Sequence, residues 1–362
     1  MNNVIILGAG KIGAMIATLL QNGGPEGPSY NLTIADQSQS ALDRLPAGLR
    51  EKGCTVDVND GAALSQRLQG HDVVINALPF FLNVQVATAA VAAGCHYLDL
   101  SEDVRATQAI KALADGAETA LIPQCGLAPG FIAIVANHMA SRFDTLQDVQ
   151  LRVGALPQFP TNALKYNLTW STDGVVNEYI HPCEAVINGE PVLVNALEGL
   201  SEFSLDGVTY ECFNTSGGLG SLRETLAGKV QNLDYRTIRY PGHRDIMKML
   251  IRDLRLGERP ELLKEILEHA VPATMQDVIV IFVTVTGQKS GRFMQESYSR
   301  KVYGREIAGE LWSAIQITTA SGICAVLDML CGGELPRQGF VRQEEIPFPK
   351  FITNRYGRNY DV

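Results

Sequence analysis

The chain has 362 residues, of which 46% are hydrophobic and 19% are charged, and these fractions exclude an intrinsically disordered protein. Its 30 Lys and Arg residues against 39 Asp and Glu residues give a net charge of −9. This balance argues against a nucleic-acid partner, because nucleic-acid binding needs clustered cations. At roughly 150 residues per domain, the length predicts two or three domains.

The sequence also argues against a membrane protein and against a metal centre. The most apolar segment, residues 311–330, contains Asp328 and several Ser, Thr and Gln residues that a membrane span would avoid. The seven cysteines form no CxxC pair, which is typical of reduced thiols rather than of a disulfide framework or a zinc site. The chain runs from Met1 into an apolar segment without a basic leader. We therefore expect a cytoplasmic protein with no metal and no membrane partner.

The first 130 residues alternate between apolar runs and helical patterns. Strand patterns lie at 4–7, 32–35, 73–77, 96–100 and 119–123, and helical patterns lie at 12–20 and 84–93. A continuous apolar run such as Val4-Ile5-Ile6-Leu7 is typical of a strand buried on both faces of a parallel sheet. The alternation predicts an α/β domain with a Rossmann-type doubly wound parallel sheet over residues 1–130.

A glycine motif, Gly8-Ala9-Gly10-Lys11-Ile12-Gly13, follows the first predicted strand and opens the first predicted helix. In such a GxGxxG motif the first glycine allows a tight turn and the second lets the backbone approach a pyrophosphate. The third permits close packing of helix and strand. The helix amino terminus adds free N–H groups and a partial positive charge. This context predicts a dinucleotide site, with a purely structural turn as the alternative.

Asp36 closes the second predicted strand, 23 residues after Gly13. An acidic side chain at this distance accepts hydrogen bonds from the adenosine ribose of a bound dinucleotide. A carboxylate there would also repel the 2′-phosphate of NADP, and the following Gln37 and Ser38 supply no arginine to offset the repulsion. We therefore expect NAD as the cofactor, unless an arginine from elsewhere in the fold reaches the site.

The carboxyl ends of the later strands are expected to face the same crevice. They predict that Asn76-Ala77-Leu78-Pro79 and Ser101 contact the cofactor, and that Glu102 lies near the nicotinamide as a candidate proton acceptor. Asp99 is explained equally well as a turn or helix cap. Cys125 is interpreted as an inert thiol, because no histidine-rich segment accompanies it.

Residues 131–304 predict a second, substrate-binding domain. Strand patterns lie at 149–156, 183–188, 208–212, 235–240 and 277–286, and helical patterns lie at 244–254 and 260–269. Few helices between strands predict an α+β domain with a mixed, largely antiparallel sheet. A long helix at 307–330 is expected to pack, with the rest of 305–362, against the first domain.

The apolar run at 278–283 exceeds what one face of a small sheet needs. An uncovered apolar face of that size usually marks an interface, so the run predicts a homodimer built through the second sheet. The alternative is a strand that is buried on both sides within one subunit.

Four segments of the first half stand in a specific order and spacing: GAGKIG, DVVINALPFF, GCHYLDLSED and IPQCGLAPGF. The second half adds YNLTWS at 166–171, GSLRETL at 220–226 and YPGH at 240–243. Together these motifs resemble the saccharopine dehydrogenase-like family over nearly the whole chain. Within that family the chain looks most similar to the NAD-dependent lysine 6-dehydrogenases.

The resemblance implies NAD-dependent oxidation at the C–N bond of an amino acid. In the lysine version the ε-amine is oxidised and ammonia is released, which gives 2-aminoadipate semialdehyde. Reductive condensation, as in saccharopine or carboxynorspermidine dehydrogenases, is an alternative, and a non-catalytic dinucleotide-binding sensor is another. Ala128 and Asp173 stand where the saccharopine-forming members carry an aspartate and an arginine. An anion at 173 disfavours a substrate with an extra glutamate arm, so Asp173 is a candidate specificity residue.

The resemblance also implies substrate-binding residues in the second half. Arg223 and Arg239 are candidates for the cation that holds the substrate α-carboxylate, with surface ion pairs as the alternative. His243 is a candidate proton acceptor because histidine titrates near neutral pH, with a structural role as the alternative. Trp170 and Tyr166 are expected to wall the substrate pocket, unless they belong to the hydrophobic core.

Overall fold

A computed structural model describes residues 1–24, 26–27 and 29–361 and divides into two compact units. Unit 1 comprises Met1–Phe131 and Gln316–Val362, and unit 2 comprises Ile132–Ile315. The second boundary lies beyond the predicted 304/305, because a short hairpin at 305–312 belongs to unit 2.

The strands and helices of the described residues are numbered in chain order. The strands are β1 (Asn2–Leu7), β2 (Tyr30–Asp36), β3 (Gly53–Thr55), β4 (Val73–Asn76), β5 (His96–Asp99), β6 (Ala120–Ile122), β7 (Thr145–Pro157), β8 (Cys183–Ile187), β9 (Glu190–Val194), β10 (Ser201–Leu205), β11 (Val208–Asn214), β12 (Val230–Arg239), β13 (Asp277–Lys289), β14 (Arg292–Tyr303), β15 (Arg305–Ile307), β16 (Glu310–Trp312) and β17 (Gly339–Phe340). The α-helices are α1 (Lys11–Gln21), α2 (Gln39–Asp43), α3 (Ala47–Arg50), α4 (Gly61–Leu68), α5 (Asn83–Ala92), α6 (Val104–Leu113), α7 (Phe131–Ala140), α8 (Thr172–Ile180), α9 (Leu222–Thr225), α10 (His243–Lys248), α11 (Pro260–Ala270), α12 (Ala314–Cys331) and α13 (Phe348–Thr353).

Unit 1 contains a seven-stranded sheet in the order β17-β6-β5-β4-β1-β2-β3. Its strand pairings are parallel. Read from β3, the first six strands follow the 3-2-1-4-5-6 order of doubly wound dinucleotide-binding sheets. Residues 4–7 of β1 are buried, which explains their continuous apolar run. The predicted Rossmann-type fold is therefore confirmed, and the strand order reverses where β1 lies between β2 and β4.

Helix α12 differs from the helix predicted at 307–330. Residues 305–312 form the β15–β16 hairpin, whose turn at Ala308 and Gly309 has φ values of 54° and 82°. A helix needs negative φ, so the prediction is wrong over 307–313. From Ala314 onward α12 is long and apolar enough to cross a membrane by length and composition alone. Most of it is buried within the protein, as the core helix of a globular fold would be, so it is weak evidence for a membrane span.

Unit 2 contains an eight-stranded sheet with the main order β10-β11-β12-β7-β13-β14, to which β8 adds beside β12 and β9 beside β8. The β12–β7 pairing is parallel and the other pairings are antiparallel. The predicted mixed, largely antiparallel sheet is confirmed. Helix α8 was not predicted, although Ser171 caps it by accepting a hydrogen bond from the Gly174 N–H.

Strand β13 carries the apolar run that predicted a homodimer. Ile279, Val280, Ile281 and Val283 are each 0% exposed, so both faces of the strand are buried within one chain. Strand β13 therefore has no uncovered apolar face, which is the alternative that the sequence left open. The oligomeric state itself stays a prediction.

Candidate functional site

The turn after β1 requires glycine at two positions. Gly8 has a φ of 105°, and a Cβ there would lie 2.9 Å from the Ala77 carbonyl oxygen. A Cβ on Gly13 would lie 1.8 Å from the Gly8 carbonyl oxygen. Real Cβ atoms essentially never approach another heavy atom this closely, so a side chain at either position would push the turn apart. After Ala77 the chain continues through the half-buried Leu78 to the exposed Pro79.

Gly10 and the first turn of α1 leave a surface open to an anion. A Cβ on Gly10 would meet nothing within 4 Å, so a ligand can approach the backbone closely here. Helix α1 has no side-chain cap and no acidic residue in its first turn, whereas Asp60 caps α4 and Asp103 caps α6. Lys11 is exposed and Ile12 is half-buried beside this terminus. The uncapped N–H groups of α1 fit a pyrophosphate.

Asp36 ends β2 and is held beside the glycine turn. Its Oδ2 accepts a hydrogen bond from the Ala9 N–H at 2.8 Å, and its Oδ1 accepts one from the Ser38 N–H at 2.8 Å. Each carboxylate oxygen retains a lone pair, which suits the two hydroxyls of a ribose. Gln37 is exposed next to it. The geometry therefore brings Gly8, Gly13 and Asp36 together, as the motif predicted.

A buried hydrogen-bond network joins the carboxyl ends of β4 and β5. The Asp99 Oδ2 accepts hydrogen bonds from the Tyr97 hydroxyl at 2.9 Å and from the Asn83 Nδ2 at 3.2 Å. Asn76 donates to the Asn83 Oδ1 at 2.9 Å and accepts from the Leu78 N–H at 3.2 Å. The Asn76 side chain thus fixes the turn after β4 through its hydrogen bond to the Leu78 N–H. Sequence reasoning missed Asn83, because nothing in its own segment indicates a partner 16 residues away in the chain.

Asp99 also caps the chain after β5, which is the alternative that the sequence left open. Its Oδ1 accepts hydrogen bonds from the Ser101 N–H at 3.0 Å and from the Gln124 N–H at 2.9 Å. Burial raises the pKa of Asp99 to about 6, although these hydrogen bonds oppose the rise. Asp99 therefore fixes the segment that carries Ser101 and Glu102.

Glu102 is the group in this segment that is suited to proton exchange. Ser101 is buried, and its hydroxyl oxygen accepts a hydrogen bond from the Asp103 N–H at 3.1 Å. Glu102 is half-buried, and burial raises its pKa to about 7, with the charges of Asp103 and Asp99 as smaller causes. A carboxyl with this pKa accepts and releases a proton near neutral pH.

Cys125 contributes no reactive thiol. It is buried, the Gln343 Nε2 donates toward its sulfur at 3.1 Å, and burial raises its pKa well above the usual range. Across residues 1–24, 26–27 and 29–361, no group of three His, Cys, Asp or Glu side chains is arranged to hold a metal ion.

Arg239 is a buried cation in unit 2. It is 2% exposed, its Nε donates to the Tyr179 hydroxyl at 3.0 Å and its Nη1 donates to the Ile238 carbonyl at 2.8 Å. The guanidinium lies over the Tyr166 ring, 5.0 Å from its centroid. Among the described residues these hydrogen bonds reach a hydroxyl and a carbonyl rather than a carboxylate. The buried Glu178 carboxylate is near enough for its charge to raise the pKa of Arg239, so an anionic ligand would bind beside this opposite charge.

His243 does not have the surroundings of a proton acceptor. It is 1% exposed, its Nε2 lies 3.1 Å from the Tyr179 hydroxyl and its Nδ1 lies 2.8 Å from the Leu164 carbonyl oxygen. Burial and, to a smaller extent, the charge of the nearby Arg239 lower its pKa to about 3. With both ring nitrogens engaged, this geometry favours the structural alternative. The sequence could not show this, because burial depends on the whole fold.

Two predicted charged residues of unit 2 lie in ion pairs. The Arg223 Nη2 is 2.7 Å from the Glu184 Oε1, and Asp173 is 2.8 Å from the Lys264 Nζ. All four side chains are partly exposed, so these pairs fit the surface alternative better than a substrate contact.

Tyr166 belongs to a hydrophobic core cluster of unit 2 and Trp170 packs against that cluster, so both fit the core alternative that the sequence left open. The Asn167 Oδ1 is buried without a hydrogen-bond partner in the described part of the chain, whereas the Tyr166 hydroxyl lies close to the polar side-chain atoms of Thr169 and Trp170. Trp170 is half-buried, and its ring covers Gly174, where a Cβ would lie 2.2 Å from the ring. An unpaired buried polar atom is costly, so the Asn167 Oδ1 suits a bound water or a polar ligand.

The glycine turn, the uncapped α1 terminus and the 3-2-1-4-5-6 strand order define a dinucleotide-binding protein. The chain belongs to the saccharopine dehydrogenase family. Residues 4–122 match the model of the saccharopine dehydrogenase NADP binding domain, and residues 126–356 match that of the saccharopine dehydrogenase C-terminal domain. The predicted family resemblance is therefore confirmed.

Three relatives illustrate the match. Saccharopine dehydrogenase [NADP(+), L-glutamate-forming] of Pyricularia oryzae is 22% identical over 266 residues, which cover 69% of this chain and 57% of that protein. Apo saccharopine dehydrogenase (L-Glu forming) from Saccharomyces cerevisiae superposes with a TM-score of 0.79 at 17% identity, covering 99% of this chain and 98% of that one. The homospermidine synthase of Legionella pneumophila in complex with NAD gives a TM-score of 0.68 at 11% identity, covering 99% and 89%. The chain spans 33%, 57% and 62% of the length of the first curated relatives it matches.

Proposed function

We propose that this protein is an NAD-dependent dehydrogenase that acts on the C–N bond of an amino acid in lysine metabolism. Its reaction is the oxidative deamination of the lysine ε-amine to 2-aminoadipate semialdehyde. The observation that carries the proposal is a complete dinucleotide turn with Asp36 in a chain of the saccharopine dehydrogenase family.

The chemistry balances without a metal. The ε-carbon of lysine loses a hydride and the ε-nitrogen loses a proton, so a C=N bond forms. Water then adds to that carbon, the C–N bond breaks, and the products are ammonia and the aldehyde. Bound NAD supplies the hydride acceptor.

The protein's own groups supply binding and proton transfer. The N–H groups at the start of α1 hold the pyrophosphate, and Asp36 holds the adenosine ribose. Glu102 accepts the proton that the substrate ammonium must lose before oxidation, because its pKa of about 7 leaves much of it ionised at neutral pH. Arg239 binds the α-carboxylate, because its guanidinium is held by hydrogen bonds to the Tyr179 hydroxyl and the Ile238 carbonyl and Glu178 is the buried carboxylate whose charge acts on it.

NAD is proposed over NADP because of the charge on Asp36. Both of its oxygens are oriented by backbone N–H groups, so the carboxylate cannot swing away from a 2′-phosphate without losing two hydrogen bonds. Residues 4–122 match a family model of an NADP binding domain, and the Legionella homospermidine synthase is in complex with NAD. Cofactor choice therefore needs its own measurement.

A panel of lysine, other ω-amino acids, diamines and saccharopine, each with NAD and with NADP, tests the proposal by absorbance at the reduced nicotinamide band. We expect lysine with NAD to be the best pair. A higher kcat/KM with saccharopine would favour the second candidate, saccharopine oxidation, which the names of the relatives support. Tight NADH binding without turnover of any compound would indicate a non-catalytic sensor.

A further inference from the structure

The Tyr179 hydroxyl contacts both Arg239 and His243, two residues for which the sequence suggested unrelated roles. The Arg239 Nε lies 3.0 Å from the Tyr179 hydroxyl, which lies 3.1 Å from the His243 Nε2, and the His243 Nδ1 lies 2.8 Å from the Leu164 carbonyl oxygen. Arg239, Tyr179 and His243 are 2%, 0% and 1% exposed. Bulk water is therefore excluded, and each polar atom depends on its neighbour in this Arg239–Tyr179–His243 chain.

The direction of each hydrogen bond follows from its ends. The Leu164 carbonyl only accepts, so the His243 Nδ1 carries the proton and the Nε2 of the neutral ring is an acceptor. The Tyr179 hydroxyl then donates to Nε2, and its oxygen accepts from the Arg239 Nε–H, since arginine only donates. A protonated His243 would instead place two cations on one hydroxyl oxygen.

Both ends of the chain are anchored. The Arg239 Nη1 donates to the Ile238 carbonyl at 2.8 Å, so hydrogen bonds from two different nitrogens fix the guanidinium plane above the Tyr166 ring. At the other end, buried Glu211 accepts from the Gly242 N–H at 2.8 Å and the Arg244 N–H at 2.6 Å, which holds the turn that carries His243.

We propose that Tyr179 and His243 are positioning residues, which hold the Arg239 guanidinium in the orientation that binds the substrate α-carboxylate. The inference rests on the proposed function, in which Arg239 binds that carboxylate. It assigns a role to Tyr179, which no sequence motif marked, and it replaces the role of proton acceptor that the sequence suggested for His243.

Tyr179→Phe keeps the ring and removes the hydroxyl, so it tests the positioning role. The KM for lysine rises roughly ten- to a hundredfold, because a binding group that is misplaced by about 1 Å loses that much. The value of kcat and the pH profile stay nearly unchanged. His243→Gln keeps an acceptor near the Nε2 position, so its KM for lysine stays close to that of the wild type. His243→Leu has no acceptor there, so its KM rises as in Tyr179→Phe. Tyr240→Phe is the matched control, since it removes a hydroxyl bonded to the Pro157 carbonyl in the same unit.

An unchanged KM in Tyr179→Phe would overturn the proposal. A His243→Leu variant that lost kcat and one pH inflection while keeping its KM would also overturn it, because that result marks a proton acceptor.

Nitrogen-15 NMR of histidine-labelled protein tests the chain without any substrate. Of the six histidines, the signal that disappears in His243→Gln is expected to show the neutral Nδ1–H tautomer from pH 5 to pH 9. An Nε2–H tautomer, or a charged ring at pH 6, would refute the positioning role. Absence of lysine turnover alongside the expected tautomer would instead refute the proposed function and leave the hydrogen-bond chain standing.

Discussion

Glu102→Gln preserves the size of the Glu102 side chain and removes its ability to accept a proton. Because the proposed reaction needs the substrate amine to be neutral, the variant is expected to lower kcat by roughly 10²–10⁴. The affinity for NADH should not change, since the α1 terminus and Asp36 are untouched. Glu51→Gln, an exposed carboxylate of the same unit, is the control and should keep full activity.

The pH profile of kcat/KM gives the sign of the effect. Glu102 works as a carboxylate, so activity rises as the pH increases through about 7. Asp99→Asn removes a nearby negative charge that raises the pKa of Glu102, so the rise should move to lower pH. Steady-state rates from pH 5 to pH 9 with saturating NAD measure the rise in the wild type and its shift in Asp99→Asn.

Ionised Glu102 should also lower the free energy of unfolding of the protein. Its carboxyl holds a proton more tightly in the folded chain, with a pKa of about 7, than in the unfolded chain, with a usual value of 4.5. The folded state therefore loses stability as the pH rises from 4.5 to 7. Full burial would make this loss about 3 kcal/mol, and the partial exposure of the side chain reduces it to about 1–2 kcal/mol. Glu102→Gln should regain that free energy of unfolding at pH 8 and nothing at pH 4.

Chemical denaturation at the two pH values, measured beside the activity, checks this account. A variant that keeps wild-type turnover, or one whose gain in stability over wild type is no larger at pH 8 than at pH 4, would refute the reasoning on Glu102.

Three further predictions concern the cofactor, the fold and the assembly. Replacing Asp36 with Ser and Gln37 with Arg should shift the kcat/KM ratio toward NADP, and an unchanged ratio would remove Asp36 from the ribose site. Asp328→Ala should lower the free energy of unfolding by about 3–5 kcal/mol, because it leaves the buried Arg355 without the carboxylate 2.6 Å away. Denaturant melts compare it with Glu26→Gln, which breaks an exposed ion pair and should cost under about 1 kcal/mol. Light scattering at micromolar concentration tests the homodimer, and a monomer mass would reject it.

The parts of the fold that follow from local patterns could be predicted from the sequence. The run Val4-Ile5-Ile6-Leu7 and the glycine turn after it are local signals, and both lie where the patterns put them. The hairpin at 305–312 was missed because its apolar residues also fit a helical period, and only the backbone of Ala308 and Gly309 breaks that period.

The interior of unit 2 depends on contacts that no local pattern encodes. Tyr179 meets Arg239 and His243 from 60 and 64 residues away in the chain, inside a helix whose pattern is weak. The sequence could place His243 after a Pro-Gly turn, but its burial and the direction of its hydrogen bonds are set by the surrounding side chains. For that reason the motif suggested a proton acceptor where the packing indicates a neutral, fixed ring.

Lysine labelled with nitrogen-15 at the ε position tests the central claim most directly. Incubation with the protein and NAD should release labelled ammonia in a one-to-one ratio with NADH, together with an unlabelled semialdehyde that cyclises. Retention of the label in an organic product, or release of unlabelled ammonia from the α position, would contradict oxidative deamination of the ε-amine.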